Sequence, residues 1–341
     1  MSFPITDHVV KTSRHTTFYL ACGRPEGTPL IFLHGWPELS ISWRHQLPAF
    51  AALGFRCLAP DMRGYGRSSL YTTHRDYAVE NMVRDMLELL EDAVPHDKAV
   101  WVGHDWGSPV AWSIASHHPN HCLGVANLCV PYMPDGFAVE SLLPLVDRDV
   151  YPEDQFPAGQ WEYQLFYREN FDAARSAFEA NVQATVKALF RKGNASAKGQ
   201  PSRTALVRRD GGWFGGAGVA PDVPVDADVL SEADLSAYVA SLKRNGFFGP
   251  DSWYMNGEWN RAHARQAVNG GRLDMPVLFL HGAFDYTCET MDSRLADPMR
   301  AACPDLTEVV VRSGHWMAQE RPLEVNAALA KWLAAKLPGA W

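Results

Sequence analysis

An α/β fold, built on a mostly parallel sheet with an inserted helical cap, is what this chain predicts. Three observations carry that expectation. Short apolar runs alternate with helical segments through the first third of the chain, the same rhythm returns near the C-terminus, and between them it stops. Strands alternating with helices imply a parallel sheet covered on both faces, with ligands bound at the carboxyl ends of its strands.

Taken in order, "LIFLHG" (30 to 35) reads as a buried strand, and residues 41 to 53 read as a helix. "FRCLAPD" (55 to 61) is the next strand, followed by a helix from about Ala78 to Val94. The run 99 to 102 leads as a third strand into "GHDWG" and a helix from Pro109, and "GVANLCV" (124 to 130) is a fourth. "PVLFLHGAFD" (276 to 285) and "TEVVVRSGHW" (307 to 316) resume the pattern, and a helix over about Leu323 to Leu337 closes it. The expected organisation is therefore a core from 1 to 135, a helical cap from 136 to 265, and the rest of the core from 266 to 341. The cap contains a long helical pattern from 161 to 190 and loop-like stretches between 193 and 228. Its glycines at 211 to 218 are not followed by Lys-Ser/Thr or preceded by a strand, so they predict a mobile loop and not a phosphate cradle.

At 341 residues and 47% hydrophobic, the chain can bury one large core. A formal charge of -8 without a basic run argues against nucleic acid or an anionic membrane as a partner. The N-terminal residues lack a signal-peptide pattern, and no apolar stretch is long enough to span a bilayer. Six cysteines without a CxxC pair read as core residues in a reducing cytoplasm, the expected location.

The chemistry concentrates at Gly103-His104-Asp105-Trp106-Gly107. Two glycines flank a residue on a strand-to-helix turn, the form of a nucleophile elbow with aspartate in the serine's place. A bland alternative has Asp105 capping the helix, which leaves both glycines unexplained. A carboxylate is ionised without help, and it can displace a leaving group at a saturated carbon. The resulting ester keeps the enzyme's own acyl carbon, so water must then attack that carbon. Asp105 thus implies alkyl transfer followed by hydrolysis, with a strained ring oxygen or a halide leaving.

The second step needs a base. His315 follows an apolar strand, and Asp285 ends another. Taken singly, Asp285 reads as a turn residue and His315 as a loop histidine. The order Asp105, Asp285, His315 matches nucleophile, acid and histidine, with Asp285 fixing the tautomer of the imidazole. The backbone N–H groups of Trp36, in "FLHGWPE", and of Trp106 are the expected oxyanion donors. "DMRGYGRSS" (61 to 69) is given a structural role. His104 is read as a packing or supporting residue. His117, His118 and His121 lack a ligand set and read as solvated surface, and no metal is expected.

With these segments in place, the chain resembles the soluble epoxide hydrolases of the α/β-hydrolase fold, along nearly its whole length. The matching segments are "HGWPE", "SWRHQ", "DMRGYGRSS", "GHDWG" and "GHWMAQERP". Haloalkane and haloacid dehalogenases share them, so the cap decides between the two reactions. There "EYQLFYRE" (162 to 169) resembles the segment carrying one ring-opening tyrosine, Tyr163, with Tyr167 as its rival. "NGFFGPDSWYMN" (245 to 256) resembles the segment carrying the other, Tyr254.

The resemblance implies a cofactor-free hydrolase that converts a small lipophilic epoxide and water to a 1,2-diol. Indole N–H groups on Trp36 and Trp106 could cradle a halide, which keeps a dehalogenase as the alternative; a non-catalytic small-ligand receptor is a remote third. Trp161, Phe166, Trp213, Phe214, Phe247 and Trp253 suggest an apolar or aryl substrate. The larger family members' N-terminal phosphatase domain is not expected, because strands begin within about twenty residues of Met1. An exposed apolar cap face would support a homodimer without requiring one.

Overall fold

The computed structural model describes residues 3–340. Among them, eight strands form one sheet in the order β1-β2-β4-β3-β5-β6-β7-β8. These are β1 (Thr6–Lys11), β2 (Thr16–Cys22), β3 (Pro29–Leu33), β4 (Arg56–Pro60), β5 (Ala99–His104), β6 (Cys122–Leu128), β7 (Val277–Gly282) and β8 (Leu306–Val311). From β4 to β8 every neighbouring pair is parallel, while β1 and β2 join antiparallel at one edge. The central strands β3, β5 and β7 are buried along their full length, as strands covered on both faces must be. Edge strand β1 is mostly exposed and carries Asp7 and Lys11, charges that discourage further pairing.

Helices α1 (Gln46–Ala52), α2 (Val79–Ala93) and α3 (Gly107–His117) belong to the first part of the core. The helix expected over residues 41 to 53 is broken into a 3₁₀ turn at Ser40–Trp43 and α1. Pro48 explains the break. Its nitrogen has no proton to bond back to residue 44, so the helix starts at Gln46 and keeps Pro48 in its first turn.

Between β6 and β7 the chain contains only helices, turns and loops. They are α4 (Val139–Leu142), α5 (Glu162–Glu179), α6 (Val182–Leu189), α7 (Arg203–Leu206), α8 (Glu232–Asn245), α9 (Phe248–Ser252) and α10 (Gly257–Ala264). The single helical run expected from 161 to 190 is two helices. Asn181 divides them, its side chain accepting the N–H of Ala184 as an N-cap. After β7 come α11 (Asp297–Ala302), α12 (Met317–Glu320) and α13 (Pro322–Lys336). No helix among the described residues is long and apolar enough to cross a membrane.

The segment 248–256 is bound to the core at several points. Trp253 donates its indole N–H to the carbonyl of Arg63, His74 bonds Ser252, and Asn256 donates to the carbonyl of His74. Arg244 and Asn245 both donate to the carbonyl of Gly66. "DMRGYGRSS" has the structural role expected of it: Asp61 accepts the N–H groups of Ser40 and Arg67, and Arg63 forms a buried two-point bond with Asp85.

Candidate active site

Asp105 sits between the last residue of β5 and the first turn of α3, with φ of 48°. That left-handed conformation is uncommon outside glycine. The flanking glycines are required by contact. A Cβ on Gly103 would lie 2.2 Å from Asn127 Oδ1, and one on Gly107 would lie 2.1 Å from the carbonyl oxygen of Leu33. Asp105 does not cap α3. Its Oδ1 accepts the backbone N–H of Trp36 at 2.6 Å, leaving Oδ2 free to face His315. Trp106 heads α3, where backbone N–H groups lack partners within the helix.

His315 stands between two carboxylates. Its Nδ1 donates to Asp285 Oδ2 at 2.7 Å, and its Nε2 lies 3.3 Å from Asp105 Oδ2. Asp285 also accepts the N–H of Cys288, so it forms a turn as well as the bond to His315. Burial pulls the His315 imidazole down, but the charge of Asp285 and hydrogen bonds to both aspartates hold it well above its ordinary value. Burial pushes Asp285 up, and the charge and hydrogen bond of His315 outweigh this, holding it below the usual carboxylate range.

Behind this trio lies a second buried pair. His104 Nδ1 donates to Glu38 Oε2 at 2.7 Å, and its Nε2 donates to the carbonyl of His315, also at 2.7 Å. With Glu38 ionised, both partners only accept, so both ring nitrogens carry protons and His104 is an imidazolium. Burial opposes that charge, but Glu38 raises the histidine to about 10, and His104 in turn brings the buried Glu38 down to about 2. His104 is therefore the supporting residue the sequence suggested. Glu38, the last residue of "HGWPE", was not singled out as a site residue, and its signal was a lone acid inside an apolar segment.

The raised histidine contributes stability fully below its ordinary 6.5 and loses it as pH rises toward about 10. The depressed glutamate contributes fully above its ordinary 4.5 and loses it as pH falls toward about 2. Both contributions are complete between those ordinary values. His104→Gln should cost about 3–5 kcal/mol there by leaving a buried carboxylate unpaired. The melting-temperature gap from wild type should narrow as pH approaches 10, and a gap independent of pH would contradict the assignment.

A cavity of about 620 Å³ opens over Asp105. Tyr163, in the first turn of α5, and Tyr254, in the 3₁₀ turn Trp253–Asn256, both line it, with ring centres 5.5 Å apart. Burial pushes both phenols well above their ordinary value, which keeps them protonated and able to donate. The rival Tyr167 does not line the cavity. It stacks on Tyr254 at 4.5 Å, nearly parallel, and donates its hydroxyl to Asp251.

Three expectations need correction. Of the six aromatic residues expected to shape the substrate site, only Trp213 and Phe214 reach the cavity. Trp161, Phe247 and Trp253 pack against Phe137, Phe178 and Tyr65, and Phe166 is buried away from the cavity wall. Phe137 and Phe284 line the cavity in their place. The Trp36 indole is no halide donor, because its N–H is bonded to Asp251 Oδ1 at 2.8 Å. His117 is not solvated surface: its ring stacks on His263 of α10 at 4.0 Å. The loop stretch 193–228 forms part of the cavity wall, through residues such as Asn194, Gln200, Arg203 and Trp213.

All six cysteines are free and buried. Among the described residues, the sets close enough to share a metal are His104, Cys129 and His315, and Asp285, Cys288 and His315. Both histidines and Asp285 are already joined in the hydrogen bonds above, so an ion would have to break the trio to bind.

Sheet order, elbow and the acid–histidine pair in later loops define an α/β hydrolase, and the alpha/beta hydrolase fold family matches residues 28–322. The sequence is 30% identical to "Epoxide hydrolase B" of Mycobacterium tuberculosis over 97% of this chain and 99% of that protein. It is 31% identical to "Epoxide hydrolase A" of the same organism, over 96% and 97%. "Bifunctional epoxide hydrolase 2" of Sus scrofa is 32% identical over 90% of this chain, which spans about half (51%) of that longer protein. Epoxide Hydrolase A from Mycobacterium thermoresistibile superposes with a TM-score of 0.79, at 29% identity, over 97% of this chain and 98% of that one. The chain belongs to the epoxide hydrolases of the α/β-hydrolase fold.

Proposed function

We propose that the protein hydrolyses a small lipophilic epoxide to a 1,2-diol through an ester on Asp105, with residues 136–265 acting as a cap over the site. One observation carries the reading: the free oxygen of Asp105 faces a cavity lined by two protonated tyrosines, Tyr163 and Tyr254.

An epoxide's leaving group is an alkoxide, which must be stabilised as it forms. Tyr163 and Tyr254 donate to the ring oxygen, and one of them passes it a proton. Asp105 Oδ2 attacks a ring carbon from the opposite side, while Oδ1 stays on the Trp36 amide. The ester removes one of the two anions flanking His315, so its hold on its proton weakens. That proton returns to the tyrosinate, and the imidazole becomes a base. His315, held by Asp285, then takes a proton from water, and the hydroxide attacks the carboxyl carbon of Asp105. The oxyanion forms at Oδ1, between the Trp36 and Trp106 amides. Collapse releases the diol oxygen, protonated by His315, and the new carboxylic acid returns its proton to His315. The cycle closes without a cofactor or metal. Six buried thiols suit a reducing cytoplasm.

Halide displacement needs no proton, so the tyrosines separate the two chemistries. Tyr254→Phe and Tyr163→Phe should each slow diol formation from an aryl epoxide by about 10²-fold or more, while leaving any halide release from a haloalkane nearly unchanged. Undiminished diol formation in both variants would remove the tyrosines from the mechanism. The commitment of the Trp36 indole to Asp251 further weakens the halide reading.

A further inference from the structure

Asp251 is a completely buried acid that the mechanism above does not use. It lies on α9, three residues before Tyr254, and does not line the cavity. Its Oδ1 accepts two hydrogen bonds, from the Trp36 indole N–H at 2.8 Å and from the Tyr167 hydroxyl at 3.3 Å, while its buried Oδ2 has no partner among the described residues.

Each donor leads to a different half of the site. Trp36 belongs to the core, and its backbone N–H is the one that holds Asp105 Oδ1. Its ring reaches into the cap, between Trp213 at 5.8 Å and Phe178 at 5.3 Å and edge-on to Tyr254 at 6.1 Å. Indole and amide belong to one residue, so anchoring the ring also fixes the amide. Tyr167 belongs to the cap, and its ring is the flat surface on which Tyr254 stacks. One carboxyl oxygen thus ties the oxyanion donor to the support of a ring-opening tyrosine.

We propose that Asp251 is a positioning residue, which sets Trp36 and Tyr254 in register across Asp105 by accepting from the Trp36 indole and the Tyr167 hydroxyl at one oxygen. The inference rests on the reading of the site given above. What it requires is a neutral acceptor. Among the described residues no cation hydrogen-bonds the carboxyl, and burial pushes it well above its ordinary value, outweighing the Trp36 and Tyr167 bonds and the charge of Arg175, with Glu179 adding to the rise. Asparagine has the same shape and keeps the accepting oxygen; leucine keeps the volume and removes it.

The test compares wild type with Asp251→Leu, Asp251→Asn and Tyr167→Phe, using rapid-quench single turnover with styrene oxide. Asp251→Leu should slow ester formation by about ten- to a hundredfold, since small displacements of reacting groups have effects of that size. The epoxide concentration giving half the maximal rate should stay within about twofold, because Asp251 does not line the cavity and no lining side chain is removed. Asp251→Asn should recover at least half the wild-type rate. Tyr167→Phe, which deletes one of the two bonds and keeps the ring stack, gives an intermediate loss and stands in if the leucine variant does not fold.

A second readout needs no substrate. Hydrogen exchange at the Trp36 amide should quicken in Asp251→Leu and not in Asp251→Asn. If wild type forms no ester with any epoxide, the reading of the site fails, and amide exchange alone still decides the role of Asp251. Wild-type ester formation and wild-type Trp36 exchange in Asp251→Leu would overturn the proposal, as would an asparagine variant as impaired as the leucine one.

Discussion

Asp105→Asn is expected to lose diol formation by about 10⁴-fold or more, the scale seen when a nucleophile acting as part of a unit is removed. The loss should be chemical and not structural. Asparagine tolerates the left-handed backbone at φ of 48° better than other non-glycine residues. Its amide oxygen can still accept the Trp36 N–H that now meets Oδ1. What it lacks is a charged, nucleophilic oxygen facing the cavity. Steady-state assays with an aryl epoxide, beside thermal unfolding, separate the two causes. A folded variant with wild-type turnover would mean that water attacks the ring directly and that Asp105 is not the nucleophile.

His315→Gln should reduce turnover by about 10³-fold or more, through one step only. Ring opening draws on Asp105 and the cap tyrosines, none of which is removed. Ester hydrolysis draws on the imidazole, because its Nε2 faces Asp105 Oδ2 while Asp285 holds its Nδ1. The variant should therefore release at most one burst of chemistry per active site and then stall. Equal slowing of ring opening and hydrolysis would instead make His315 a structural partner of both aspartates.

Much of this site was legible in the sequence, because short-range chemistry wrote it there. Two glycines around an aspartate predict the elbow, since a Cβ at Gly103 would strike Asn127 of β6 and the first turn of α3, and one at Gly107 would strike Leu33 at the end of β3. Asp285 and His315 were legible because each closes an apolar strand, and parallel strands send their ends to one edge of the sheet. The cap was less so. Phe166 and Trp213 are both large aromatic residues of the cap, yet one is packed away and the other lines the cavity, a difference set by how the cap lies across the core. Tyr163 and Tyr167 stand one helical turn apart in the same segment; Tyr163 lines the cavity, while Tyr167 bonds Asp251, 84 residues further along. The pairs Glu38–His104 and Trp36–Asp251 join residues 66 and 215 positions apart, and no local pattern announces such partners. The helix expected over residues 41 to 53 is broken because the missing proton of Pro48 outweighs the apolar periodicity around it, a signal the periodicity concealed.

The central claim is a covalent ester between the epoxide carbon and Asp105. Its most direct test is the intact mass of His315→Gln after brief incubation with styrene oxide, followed by peptide mapping. The account predicts a gain equal to the whole epoxide, located on the peptide containing Asp105, and no such gain when Asp105 is also replaced by asparagine. A His315→Gln protein that still turns the epoxide over without any mass gain, or that carries the adduct on another residue, would contradict it.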